Sequence, residues 1–101
     1  MVSDSEDIRT VTVRIEGRVQ GVYFRAWTER TAKELNLDGW VRNCDDGSVA
    51  AVFSGPPEVV ADMLRRCEEG SPGAQVSQVL ILDEGGTPPD GFQVIATDNY
   101  K

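Results

Sequence analysis

The segment GRVQGVYFR, residues 17–25, joins a β-branched run to a helical run and carries two glycines and two arginines. Glycines let successive backbone N–H groups converge into an anion-binding concavity. The positive end of the following helix dipole reinforces it. Arg25 stands at that helix start, where a cation opposes the dipole and therefore calls for an anionic partner. Its planar fork matches a phosphate with two parallel hydrogen bonds. The chemistry open to this segment is oxyanion binding. A plain connector followed by a solvated arginine would use the same residues, and the loop alone does not separate the two readings. Asn43 is a polar residue at the end of a short strand, and its simplest role is to cap the Asp45–Gly47 turn.

The chain has 0 histidines. That removes His general acid–base catalysis, Ser-His-Asp and Cys-His nucleophile systems and His-ligated metals. Gly17 and Gly21 do not have the spacing of a Walker loop or a dinucleotide fingerprint. A Cys-x5-Arg phosphatase loop would need arginine at position 50 or 73, which hold Ala50 and Gly73. Cys44 and Cys67 are too few for a disulfide framework or a zinc cluster, and both are expected as reduced packing residues. Asp45 and Asp46 are expected as a solvated turn rather than a metal or acid pair.

The elements that must position these residues follow from periodicity. Val11, Val13 and Ile15 alternate with Thr12, Arg14 and Glu16, a half-buried strand over residues 8–16. Phe24, Thr28, Ala32 and Leu35 form one stripe of a helix over residues 25–36, stopped by Asn36 and Asp38-Gly39. Residues 40–44 and 48–53 read as a hairpin around Asp45-Asp46-Gly47. Pro56-Pro57 opens a second helix with the stripe Val59, Val60, Met63, Leu64 and Cys67, ended by Gly70-Ser71-Pro72. Residues 76–82 and 92–96 are the last strand, split by a Gly- and Pro-containing loop. The order βαββαβ with right-handed crossovers gives an α+β, ferredoxin-like split βαβ sandwich: an antiparallel sheet with two helices on one face. That fold hosts many activities and names none.

The string GRVQGVYFR (residues 17–25) resembles the first signature of the acylphosphatase family, and GWVRNCDDGSV (residues 39–49) resembles its second, in the same order and at the same spacing. The similarity runs roughly from Val11 to Phe92, departing at Leu64-Arg-Arg-Cys67, where many relatives carry a tryptophan. The resemblance implies the same ferredoxin-like fold and hydrolysis of the carboxyl–phosphate bond of acyl phosphates. It implies that Arg25 is the phosphate-binding guanidinium and that the Asn43 amide orients the attacking water. The backbone N–H groups of Gln20, Gly21, Val22, Tyr23, Phe24 and Arg25 would complete the cradle. No cofactor, no metal and no covalent intermediate are implied.

A carboxylate leaving group, with a pKa of about 4, departs unprotonated, so a site without histidine is chemically sufficient. Two rivals stand beside this reading: a module that binds acyl or carbamoyl phosphate without turnover, and a single-strand RNA binder of the same strand order. The second lacks the aromatic-basic strand that RNA recognition needs. A formal charge of -7 also argues against nucleic acid and anionic membranes. The acidic total hides a basic stretch, because residues 8–43 hold seven Arg and Lys against four acids. Residues 1–7 are expected as a flexible acidic tail and residues 8–101 as the acylphosphatase-like domain. No signal peptide or membrane span is legible. A cytoplasmic monomer acting on a small acyl phosphate and releasing inorganic phosphate is the expectation.

Overall fold

The computed structural model describes residues 7–96. Most of the expected acidic tail lies outside the described residues. The elements are β1 (Arg9–Arg18), α1 (Phe24–Glu34), β2 (Asp38–Asn43), β3 (Val49–Gly55), α2 (Pro57–Glu69), β4 (Gln75–Glu84) and β5 (Phe92–Val94). They form one sheet in the order β4-β1-β3-β2-β5. Among the first four strands every neighbouring pair is antiparallel, as the split βαβ pattern predicts.

The sheet is nevertheless mixed, because β5 pairs parallel with β2. The expectation of one last strand split by a loop is corrected here: β4 and β5 lie at opposite edges. Phe92 supplies the physical reason. Its ring stacks on Phe53 of the central strand, with centroids 5.7 Å apart and 12° between the planes. It sits opposite Gly39 of β2, where a Cβ would strike the Val52 carbonyl. Asp38 fixes the entry, its Oδ1 accepting from the Gly91 N–H at 2.9 Å. Gly39 is thus a strand residue at a close approach, not a helix stop. Asn36, with φ 59, does follow the helix end as the sequence predicts.

Val11, Val13 and Ile15 are fully buried on the helix-covered face, while Thr12 and Arg14 are half-exposed on the other. Phe24, Thr28 and Ala32 of α1 and Val60, Met63 and Cys67 of α2 are buried on the same core. Each fully buried aliphatic or aromatic side chain contributes about 1.5–3 kcal/mol. β3 is buried along its whole length. Residues 85–88, on their way between the two edges, run past Thr10, Thr12, Val52 and Trp40 on its far side. Among the described residues no helix is long and apolar enough to cross a membrane.

β1, β2 and β5 run in one direction, since two antiparallel steps relate β1 to β2 and β5 is parallel to β2. Their C-terminal ends therefore meet at one end of the sheet. The β1–α1 connection, Asn43 and Val94 all stand there.

Candidate active site at the start of the first helix

Residues 19–23 link β1 to α1. Val19 and Phe24, each 1% exposed, are buried in the core at the two ends of this link. A turn this tight between two anchors uses left-handed backbone. Gly21 has φ 78, and Tyr23, not a glycine, has φ 60. Tyr23 occupies the N-cap position of α1, gives no side-chain cap and is 86% exposed.

The first helical bond runs from the Trp27 N–H to the Tyr23 carbonyl at 3.0 Å. The N–H groups of Phe24, Arg25 and Ala26 precede it and have no acceptor within the helix. The first turn contains no acid. It contains Arg25 instead, half-buried and without an ion pair or side-chain hydrogen bond among the described residues. Glu29, one turn along, is the position from which a carboxylate would pair with Arg25. Its Oε2 is held by Lys33 Nζ at 3.0 Å instead. The positive end of α1 is thus left with unanswered donors and an unanswered cation.

Asn43 ends β2 opposite Val49, and its side-chain amide has no partner among the described residues. The hairpin beyond it is set by Asp46, whose Oδ1 accepts from the Ser48 N–H at 2.9 Å and from the Ser48 hydroxyl at 2.6 Å. Those bonds hold the Asp46 carboxyl below the usual carboxylate range. Asp45 and Asp46 are both exposed, as a solvated turn should be. Among the described residues no group of three His, Cys, Asp or Glu is disposed to hold a metal ion.

A cleft of about 430 Å³ brings Gln20, Gly21, Tyr23, Phe24, Arg25 and Asn43 together. Val22 alone of the predicted residues does not line it. Its side chain lies beside Gly73, and its carbonyl accepts from the Ser71 hydroxyl at 3.2 Å. That bond ties the connection to the α2–β4 turn. The cleft also takes in Val19, Ala26, Glu29 and Val94. Ala26 and Glu29 follow from helical spacing, since they lie near Arg25 on one face. Val94 does not, because only the crossing of β5 brings it there.

Residues 11–94 match the family model for acylphosphatase. The acylphosphatase of Rhizorhabdus wittichii is 47% identical over 90 residues, which is 89% of this chain and 91% of that protein. The acylphosphatase of Natronomonas pharaonis is 51% identical over 82 residues, 81% of this chain and 89% of its own length. The solved structure of an acylphosphatase from Coxiella burnetii superposes with a TM-score of 0.85 at 32% identity, covering 94% of this chain and 100% of that one. With both signature segments inside the matched span and folded around one cleft, the chain belongs to the acylphosphatase family.

Proposed function

We propose that this chain hydrolyses acyl phosphates to a carboxylate and inorganic phosphate, with Arg25 and Asn43 as its two working side chains. The observation that carries the reading is the uncapped, cation-bearing start of α1, which opens into the same cleft as the unpartnered Asn43 amide. A phosphoryl group there accepts hydrogen bonds from the backbone N–H groups of residues 20–25 and a bidentate pair from the Arg25 guanidinium. The Asn43 amide holds a water in line with the bond to be broken. The water oxygen attacks phosphorus, the bond from phosphorus to the acyl oxygen breaks, and its electron pair leaves with the carboxylate. The proton of the water passes to a phosphoryl oxygen of the substrate. The protein positions the reactants and stabilises charge on the equatorial oxygens.

An alkyl phosphate would have to expel an alkoxide and would need a general acid, which this pair of side chains does not offer. The enzyme is read as a cytoplasmic monomer that needs no metal, and its free Cys44 and Cys67 thiols fit a reducing compartment. Phosphate release from benzoyl phosphate, with glycerol phosphate as control and EDTA in a parallel series, tests the reading. Turnover of the first alone, undiminished by EDTA, is expected. Binding without turnover would move the assignment to a phosphate-binding module.

A further inference from the structure

We infer that the Gln20 side chain is a positioning residue, clamping the neck of the β2–β3 hairpin so that Asn43 is held at a fixed place relative to the phosphate cradle. Gln20 Nε2 lies 2.8 Å from the Cys44 carbonyl oxygen and 2.8 Å from the Ser48 carbonyl oxygen. Carbonyl oxygens only accept, so the amide must turn its NH2 towards them and can give one hydrogen to each. The two acceptors stand on the two sides of the hairpin neck. Cys44 directly follows Asn43, and Ser48 directly precedes Val49, the ladder partner of Asn43. The Cys44 N–H closes the neck by donating to the same Ser48 oxygen at 2.9 Å.

The place of this clamp in the sheet gives it a purpose. The ladder between β1 and β3 ends at Ile15 and Val49. Beyond Ile15, β1 pairs only with β4, through Glu16, Gly17 and Arg18. The end of β1 that leads into the cradle therefore has no backbone bond to the hairpin that carries Asn43. On the far face, Arg14 approaches Asp46 only loosely, at 3.9 Å. Gln20 spans the gap from within the cradle itself: its backbone belongs to the anion-binding connection and its side chain to the hairpin.

The inference rests on the roles proposed for Arg25 and Asn43. If Asn43 orients the water, its separation from the phosphoryl group sets the rate, and a displacement of about 1 Å can cost about 10²-fold. Loss of the clamp should then lower kcat and leave the affinity for phosphate nearly intact, because Arg25 and the α1 amides hold the anion without it.

A double-mutant cycle decides. kcat and KM for benzoyl phosphate, and competitive inhibition by inorganic phosphate, are measured for the wild type, Gln20→Leu, Asn43→Ala and the double variant, with thermal unfolding confirming that each folds. Gln20→Leu is expected to lower kcat about tenfold or more with the phosphate inhibition constant within about threefold of wild type. In the Asn43→Ala background the same change should alter kcat by less than about threefold, because the group it positions is gone. A full, multiplicative loss in that background overturns the inference, and so does an unaffected Gln20→Leu. An active Asn43→Ala single variant instead overturns the reading of Asn43, a result told apart by that variant alone. If Gln20→Leu fails to fold, Gln20→Glu keeps the shape. Its ionised carboxylate repels both carbonyls, whereas its protonated form donates one bond. Its kcat relative to wild type should rise as the pH falls from 7 to 5, and a flat ratio contradicts the clamp.

Discussion

Both helices begin without a side-chain cap, yet their first turns are built for different ends. α2 starts at Pro57 with Glu58 beside it, and the Pro56 carbonyl takes the N–H groups of Val59 and Val60 at 3.0 Å each. Proline removes a donor that would have no partner, and the acid answers the dipole. Two of the first-turn donors of α2, and its dipole, are therefore answered from within the chain. α1 starts after a left-handed Tyr23, keeps its donors, has no acid and adds Arg25. By the rules that stabilise α2, the start of α1 is unfavourable. The difference fits the proposal that an anion from outside the chain completes the start of α1.

The largest expected effect lies at Asn43, the residue proposed to hold the attacking water. Asn43→Ala should lower kcat by about 10²-fold or more, as removal of one preorganised polar group does elsewhere, while thermal unfolding and phosphate inhibition stay near wild type. A fully active variant would remove Asn43 from the chemistry. Next, exchanging the charges of the two helix starts should separate stability from function. Without phosphate, Arg25→Glu should stabilise the fold by about 0.3–1 kcal/mol and Glu58→Arg should destabilise it by a similar amount, read from denaturant midpoints. Turnover should fall about tenfold or more in the first variant and persist in the second. Equal effects of both changes on turnover would erase the contrast between the helices.

Lys33 offers a finer test. It holds Glu29 by an i,i+4 pair and so leaves Arg25 unanswered. In Lys33→Ala, Glu29 is free to compete for Arg25, and phosphate inhibition should weaken by a few-fold, of the order of an exposed ion pair. Inhibition identical to wild type would show that Glu29 does not reach Arg25.

The smallest effect, invisible at neutral pH, comes from the core. Burial pushes the Cys67 thiol from 9.0 up to about 12. Below about pH 9 the folded and unfolded chains both keep the proton. Above it the unfolded chain ionises first, so stability falls as the pH rises towards about 12. Cys67→Ala should lack that slope in unfolding measured between pH 8 and 10.

Much of this was legible in the sequence because local pattern and tertiary place agree. The alternation of Val11, Val13 and Ile15 and the stripe of Val60, Met63 and Cys67 each name the face that the core then buries. The two signature strings contain Gln20, Gly21, Tyr23, Phe24, Arg25 and Asn43, which line one cleft. What escaped depends on contacts between distant elements. β5 has three residues, too few for a period to reveal its partner, and contacts with distant residues, Phe92 on Phe53 and Gly91 on Asp38 among them, hold it at the far edge. That crossing brings Val94 to the cleft. The string VQG shows glutamine beside glycine but not that the amide reaches the carbonyls 24 and 28 residues away. Val22 sits inside the first signature, yet its side chain faces away from the cleft.

The most direct measurement is the binding of inorganic phosphate to the wild type and to Arg25→Ala, followed by isothermal titration. The start of α1 should bind one phosphate per chain, and truncating Arg25 should weaken that binding about tenfold or more, the scale of a lost charge-assisted pair. Equal affinity in the two proteins would contradict the claim that the first turn of α1 is completed by a phosphate held on Arg25.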